Sequence, residues 1–171
     1  MTSDPLFTGP ELCRLEAHKI VTLLKAKEIS SADLIDAAVA RIDQTGPMIN
    51  ATPTLCEARA RAVDLSNQDT TPAGYLAGLP ITIKDLNAVA NVRTTFGTKG
   101  LAEFIPQHND PLVDQLERQG AVILGKTNTP EFGAGGNTFN DVFGQTRNPW
   151  NTALNPGGSS GGAAASLAAG E

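Results

Sequence analysis

The sequence predicts an α/β fold, a layered sheet covered by helices. Amphipathic helical patterns fill residues 8–65. Two short runs rich in β-branched residues, 81–86 and 121–124, are typical of strands. A helical pattern separates these two runs, as expected for a layered α/β domain. At 171 residues the chain is long enough for one domain with a hydrophobic core. We therefore expect a single domain over 1–171, made of a helical layer at 1–66 and an α/β core at 67–171.

Three helices are predicted in the N-terminal layer. The first spans residues 8–28 and opens with a threonine and a glutamate at capping-box spacing. The second begins after Ser30, which is followed three residues later by Asp33, and it ends at Gly46–Pro47. The third covers residues 57–65. No residue in this layer carries an evident chemical function, so we expect it to cover the sheet and to be wholly helical.

The remaining elements alternate between strands, helices and turns. Glycine and proline mark their ends, because glycine terminates helices and proline suits a first helical turn. In chain order they are a strand at 81–86, a helix at 110–119, a strand at 121–124, a helix start at 129–131, a turn at 148–151 and a helix at 163–169.

Composition and charge exclude several functions. The net charge of −5 and the lack of any lysine or arginine cluster argue against a nucleic-acid partner. No apolar run approaches the length of a membrane span. Residues 1–11 lack the basic and apolar regions of a secretory signal. Cys13, Cys56, His18 and His108 show no metal-ligand spacing, so we expect free thiols, no metal and a cytoplasmic location.

A phosphate-loop pattern occurs at residues 120–127, where the sequence reads G-x-x-x-x-G-K-T. In a true phosphate loop, the residues between the two glycines form an exposed cradle of backbone N–H groups. Here they are alanine, valine, isoleucine and leucine, which suit a buried strand. The strand interpretation is therefore preferred, and Gly125 is expected to end it.

Lys84 interrupts the apolar strand at 81–86. One interpretation is an edge-strand lysine that protects the sheet from aggregation. Strand alternation places Lys84 on the same side as Thr82 and opposite Asp85. If that side is internal, the ammonium group loses hydration and its pKa falls, which would make Lys84 a competent general base near neutral pH.

A stretch of glycines and serines at residues 156–162 is followed by an alanine-rich helical run. Such a composition is typical of a flexible linker. It is equally suited to a constrained turn, because glycine allows a close backbone approach and a serine hydroxyl both donates and accepts hydrogen bonds.

Four motifs in one order resemble the amidase signature family. The resemblance covers the chain from Leu12 onward, and the ordered set is far more specific than any one motif. The motifs are G-L-P-I-T-I-K-D at 78–85, G-A-V-I-L-G-K-T-N at 120–128, G-Q-T-R-N-P-W-N at 144–151 and P-G-G-S-S-G-G at 156–162. The resemblance implies a mixed sheet surrounded by helices.

The resemblance also implies an activity and its residues. Members of this family hydrolyse carboxylic amides with a serine nucleophile, a bridging serine and a lysine base, and they need no metal or organic cofactor. The lysine maps onto Lys84 and the bridging serine onto Ser159, which follows a cis peptide bond from Gly158. Ser160 is expected to support the network. A small-molecule amide is the implied substrate.

The substrate pocket is assigned from the same resemblance. The segment at 133–136 is similar to the one that lines the pocket beside the catalytic serines. Gly133, Gly135 and Ser159 are therefore predicted to contact the substrate, with small residues leaving room for an acyl group.

The sequence departs from the family at the nucleophile. The family places it in a D-x-G-G-S-x-R motif after the bridging serine, and this motif does not occur in the 171 residues. Ser166 lies in the alanine-rich run and lacks the glycines of an oxyanion hole, so it is not assigned as the nucleophile. We therefore expect a partial amidase domain, incomplete at its C-terminus and inactive alone, that needs a C-terminal portion or a second copy to cover its sheet.

Two other functions are compatible with the sequence. One is an amidotransferase A-type subunit, which releases ammonia from glutamine or asparagine. The other is a truncated, non-catalytic relative that acts as a binding or interaction module, because an unpaired sheet exposes apolar surface. A general amidase is the preferred function.

Overall fold

The computed structural model describes residues 7–171. The first six residues, which belong to the predicted helical layer and to the segment compared with a secretory signal, lie outside the described part. The α-helices of the described part are α1 (Ala17–Lys25), α2 (Ser31–Ile49), α3 (Glu57–Arg61), α4 (Pro111–Arg118) and α5 (Gly161–Ala169). The strands are β1 (Thr54–Leu55), β2 (Pro80–Lys84), β3 (Val122–Thr127), β4 (Phe139–Asn140) and β5 (Gly144–Gln145). Short 3-10 turns cover Glu11–Arg14, Lys99–Leu101 and Glu131–Gly133.

The main sheet has three strands in the order β1-β3-β2. Strand β2 runs parallel to β3, and β1 runs antiparallel to it, so the sheet is mixed, as the family resemblance implied. The pairing shifts by one residue between Ile81 and Thr82, where a bulge places Gly125 opposite Thr82. A side chain at Gly125 would lie 2.6 Å from the carbonyl oxygen of Thr54. Glycine therefore allows β1 to approach β3.

Helices cover both faces of the central strand. On one face, Val122 and Leu124 pack against Ile35, Ile42 and Ala60 of α2 and α3. On the other face, a cluster forms around Ile123, which lies between Val122 and Leu124 in β3. The other members of this cluster are Ile83, Val89, Val92 and Val113. All six residues of β3 are buried. The layered α/β prediction is confirmed, and among residues 7–171 no helix is long and apolar enough to cross a bilayer.

The predicted helix at 8–28 is wrong as a single element. A 3-10 turn at Glu11–Arg14 and helix α1 are separated by extended backbone at Leu15 and Glu16. No side chain caps the turn, so the predicted capping box is absent. The break lets Leu12 and Leu15 reach the apolar cluster that α1 forms with α2, and this burial outweighs a continuous helix.

The second helix begins as predicted and ends later than predicted. Ser30 and Asp33 form the capping box, with reciprocal side-chain to backbone hydrogen bonds. Helix α2 continues through Pro47 to Ile49. Ile49 is buried against α5, and the left-handed Asn50 closes the last turn by donating its N–H to the carbonyl of Gly46. This packing and capping outweigh the tendency of proline to stop a helix.

The wholly helical layer predicted for 1–66 is also wrong, because β1 lies within it. Thr54 pairs with Lys126 and Leu55 with Gly125, so this segment joins the sheet that it was expected only to cover. The third helix ends at Arg61 instead of residue 65. The division of the chain between residues 66 and 67 stays a prediction.

The other boundaries differ by a few residues. Strand β2 ends at Lys84, two residues early, whereas β3 runs past the predicted exit at Gly125 to Thr127. The helix start predicted at 129–131 gives only a 3-10 turn, because Phe132 adopts a left-handed conformation with φ of 48°. The turn at 148–151 is confirmed by the bridge that pairs its two terminal asparagines.

Candidate active site

Lys84 and the two serines of the glycine-rich stretch meet at one point of the structure. Lys84 is the last residue of β2, and the serines come directly before α5. The Nζ atom of Lys84 donates hydrogen bonds to Ser159 Oγ at 2.7 Å and to Ser160 Oγ at 3.0 Å. The first pair is separated by 75 residues of sequence, so the fold alone brings these groups together.

The surroundings of Lys84 favour the neutral amine. Ile83 and Asp85 are 5% and 0% exposed, whereas Lys84 and Thr82 are only partly buried, as strand alternation predicted. Desolvation by burial lowers the pKa of Lys84. Strand β2 does lie at an edge of the described sheet, but the side-chain nitrogen of Lys84 is hydrogen-bonded to two hydroxyl groups, so protection of the edge does not account for this lysine.

The glycine-rich stretch is a fixed turn, and the linker interpretation is wrong. The peptide bond between Gly158 and Ser159 is cis, as predicted from the family resemblance. Gly158 packs so closely on residues 135–137 that a side chain there would lie 2.9 Å from the carbonyl oxygen of Gly135. The Thr129 hydroxyl adds a long hydrogen bond, 3.3 Å, to the carbonyl of Ser159.

Thr138 and Asn155 hold the same turn from a neighbouring segment. Thr138 Oγ1 donates to the carbonyl of Gly157 at 2.8 Å and accepts from the N–H of Gly161 at 3.0 Å. Asn155 Oδ1 accepts from the N–H of Gly157 at 2.9 Å and from the N–H of Thr138 at 3.2 Å. The backbone on both sides of the two serines is therefore anchored, a feature that the sequence did not reveal.

The two predicted pocket glycines lie in different surroundings. Gly135 lines a cavity of about 340 Å³ together with Asn137 and Phe139, and it also contacts Gly158. Gly133 lies so close to Leu86 that a methyl group added at this glycine would be only 2.6 Å from the leucine side chain. Contact of these glycines with a substrate stays a prediction.

A buried ion pair lies directly behind Lys84. Lys126 Nζ donates to Asp85 Oδ1 at 3.0 Å, to the Asn87 carbonyl at 2.9 Å and to Thr94 Oγ1 at 2.8 Å. The other carboxylate oxygen of Asp85 accepts from the N–H and the hydroxyl of Thr95 at 3.0 and 2.6 Å. Both charged side chains are fully buried.

This ion pair settles the role of the phosphate-loop pattern. Lys126, the lysine of that pattern, is buried in β3 and paired with Asp85, so it offers no exposed cradle for a phosphate. Burial lowers the pKa of Lys126, and the nearby Asp85 carboxylate opposes that shift. Sequence reasoning missed the pair, because the bulge shifts the register of β3 against β2. The shift places Lys126 opposite Ile83, on the side of the sheet to which Asp85 also belongs.

Within residues 7–171, no group of three or more histidine, cysteine, aspartate or glutamate side chains is arranged to hold a metal ion. Cys13 and Cys56 are both free thiols. Burial raises the pKa of each thiol.

Comparison with known proteins identifies the class of enzyme that this fold and site define. The family model described as Amidase matches residues 33–171. The chain therefore belongs to the amidase signature family, as its four motifs indicated.

Its sequence relatives include glutamyl-tRNA(Gln) amidotransferase subunits A. The protein from Dehalococcoides mccartyi strain 195 is 43% identical over 91% of this chain and 32% of its own length. The protein from Carboxydothermus hydrogenoformans is 44% identical over 94% of this chain and 34% of its own length. The chain thus spans about a third of the length of the curated relatives that it matches.

Solved structures show the same fold. A 6-aminohexanoate cyclic dimer hydrolase superposes with a TM-score of 0.81 at 33% identity, over 92% of this chain and 32% of the hydrolase. A bacterial aryl acylamidase gives a TM-score of 0.78 at 36% identity, over 88% of this chain and 32% of the acylamidase. The α/β architecture of residues 7–171 is therefore that of one part of a larger amidase signature domain.

Proposed function

We propose that this chain supplies the lysine base and the bridging serine of a relay that hydrolyses a carboxylic amide to an acid and ammonia or an amine. The observation that carries the proposal is the 2.7 Å hydrogen bond between Lys84 Nζ and Ser159 Oγ. The lowered pKa of Lys84 supports it, because only a neutral amine can accept a proton.

The relay moves one proton in each direction. Neutral Lys84 takes the proton of the Ser159 hydroxyl, and Ser159 takes the proton of a nucleophilic serine as its oxygen attacks the amide carbon. When the tetrahedral intermediate collapses, the proton returns through Ser159 to the leaving nitrogen, and the C–N bond breaks. Water then releases the acid from the acyl-serine. Ser160, 3.0 Å from Lys84 Nζ, helps to orient the amine.

We place the nucleophile and the oxyanion hole outside these 171 residues. Their sequence contains no D-x-G-G-S-x-R motif, and they correspond to about a third of each curated relative. The 171-residue polypeptide is expected to release no product from an aryl amide. Turnover by this polypeptide that disappears in Lys84→Ala would overturn this part of the proposal.

The state of Lys84 can be measured without turnover. The polypeptide is labelled with ¹³C-lysine, and the Cε resonance of Lys84, assigned by its loss in Lys84→Ala, is titrated with pH. We expect a lower pKa in the folded protein than in the same chain unfolded in urea, because burial disfavours the ammonium. Equal values in the two states would remove Lys84 as the base.

An amidotransferase A-type subunit is the second candidate. It is supported by the identity of 43–44% between this chain and glutamyl-tRNA(Gln) amidotransferase subunits A over 91–94% of the chain. Ammonia release from glutamine and amine release from an aryl amide, measured side by side on the longest product of the gene, separate the two. Faster hydrolysis of glutamine would select the amidotransferase.

We further propose a small-molecule amide as substrate and the cytoplasm as location. Pairing of the free edge of β2 with a C-terminal portion or a second copy would complete the domain. The two free thiols support the cytoplasmic location, because disulfides are rare in that compartment. A truncated relative acting only as an interaction module remains the alternative, and a stop codon directly after Glu171 in the gene would select it over the amidase.

A further inference from the structure

We propose that Thr138 is a positioning residue for the relay, because its hydroxyl fixes the turn that carries Ser159 and Ser160. This inference deepens the proposed function and rests on it for its catalytic meaning. Thr138 is fully buried directly before β4, so its hydroxyl is out of contact with solvent.

The hydroxyl closes the turn from both sides. It donates to Gly157, two residues before Ser159, and accepts from Gly161, the first residue of α5. One atom therefore binds the entry and the exit of the segment that holds both serines. A hydroxyl suits this position, because its single oxygen donates and accepts hydrogen bonds at once.

Hydrogen bonds of the Thr138 backbone hold this residue in place. Its N–H donates to Asn155 Oδ1 at 3.2 Å, and its carbonyl accepts from the N–H of Thr146 at 3.0 Å. The side chain of Thr138 thus transmits the position of a hydrogen-bonded segment to the serine turn. Gly157 needs this restraint, since its φ of +88° gives it the conformational freedom of a glycine with no side chain to pack.

The hydrogen bond between the base and the serine joins two different parts of the chain, strand β2 and the serine turn. Lys84 is placed by β2, and Ser159 is placed by the turn, so the 2.7 Å hydrogen bond depends on the turn keeping its position. The turn is held by the contacts of Thr138 and Asn155 and by a hydrogen bond from the Thr129 hydroxyl to the Ser159 carbonyl. This last bond is long, at 3.3 Å. Loss of the Thr138 hydroxyl would leave the carbonyl of Gly157 and the N–H of Gly161 without this partner and let the turn shift.

The test compares Thr138→Val, which has the same shape without the hydroxyl, with Thr138→Ser, which keeps the hydroxyl. In the 171-residue protein at an acidic pH, where Lys84 is protonated, ¹H-¹⁵N NMR of the lysine ammonium groups measures how fast the protons of Lys84 exchange with water. We expect exchange to accelerate about fivefold in Thr138→Val, the factor for one weakened hydrogen bond, and to be unchanged in Thr138→Ser. Thr45→Val, which removes another buried hydroxyl from α2, is the matched control and is expected to leave Lys84 unchanged.

Each outcome decides the inference. Unchanged exchange in a folded Thr138→Val overturns it, and so does equal acceleration in Thr138→Ser or Thr45→Val. If Thr138→Val does not fold, Thr138→Ala is used as a second variant without the hydroxyl. Unfolding of both variants would show that the residue supports the whole domain, which also overturns a specific positioning role. An ordinary pKa of Lys84 with the exchange results as expected would instead remove the proposed function and leave the role of Thr138 in the turn.

Discussion

Replacing Lys126 by methionine is the sharpest test of how the structure supports its site. The change keeps most of the side-chain volume and removes the ammonium that binds Asp85, Asn87 and Thr94. The carboxylate of Asp85 would then be buried without its counter-charge, retaining only its hydrogen bonds from Thr95. The cost therefore comes mainly from the charge that is left behind.

The expected loss of stability is large. Breaking a fully buried ion pair by removing one partner costs about 3–5 kcal/mol. In a chain of this size, each kcal/mol lowers the melting temperature by about 2–4 °C, so a decrease of roughly 6–20 °C is expected. Because both side chains are 0% exposed, solvent does not screen the uncompensated carboxylate.

Urea denaturation followed by circular dichroism measures the free energy of unfolding. Fluorescence of Trp150 is a poor probe, because this residue is already 81% exposed in the folded state. Lys99→Met removes an exposed lysine and serves as the matched control, with an expected change within about 1 kcal/mol. The double variant Asp85→Asn with Lys126→Met removes the buried charge and is expected to recover part of the loss. A Lys126→Met protein within about 1 kcal/mol of the wild type would refute this reasoning.

Three further changes test other parts of the structure. Gly162→Ala is expected to prevent folding, because the new methyl group would lie 2.4 Å from the backbone of Asn128. Gly136→Ala is the control, since a methyl group there meets nothing within 4 Å. Circular dichroism distinguishes the two variants, and a normally folded Gly162→Ala protein would contradict the packing. Lys84→Met is expected to flatten the alkaline side of the plot of stability against pH. The pKa of Lys84 in the folded protein is below the unfolded value of about 10.4, so the unfolded chain binds more protons between these two pKa values. The stability of the wild type therefore rises with pH until Lys84 is neutral in both the folded and the unfolded state. Urea titrations at several pH values measure this slope, and an unchanged slope would count against the buried amine. Ser30→Ala removes the N-cap of α2 and is expected to cost about 1 kcal/mol in the same urea assay; no loss would mean that the capping box contributes nothing.

The features predicted well from sequence depend on residues that lie a few positions apart in the chain. The capping box of α2 depends on Ser30 and Asp33 alone, and both behave as the pattern indicates. The orientation of Lys84 follows from strand alternation over a few residues. The site itself was predictable only through the family motifs, because no local rule links Lys84 to a serine 75 residues away.

The features that were missed depend on tertiary contacts. Strands β1, β4 and β5 have two residues each, which is too short for any periodic signal. Pro47 is tolerated in α2 because the buried Ile49 holds the last turn in place. Lys126 is placed on the side of Asp85 by a bulge in the pairing of β3 with β2. Gly125 lies at this bulge and was interpreted from the sequence as the end of the strand.

The distribution of buried polar residues explains why the serine turn is fixed. They are concentrated where β2 and β3 end and α5 begins: Asp85, Thr94, Thr95, Lys126, Thr127, Asn128, Thr129, Thr138, Asn140 and Thr146. Each polar group buried there costs desolvation, which an apolar core would avoid. A hydrogen-bonded network, unlike an apolar cluster, specifies distances and directions as well as burial. Lys84 is joined to this network through Asp85, and Ser159 through the contacts of Thr129 and Thr138, so both partners of the 2.7 Å hydrogen bond are set by the same buried framework.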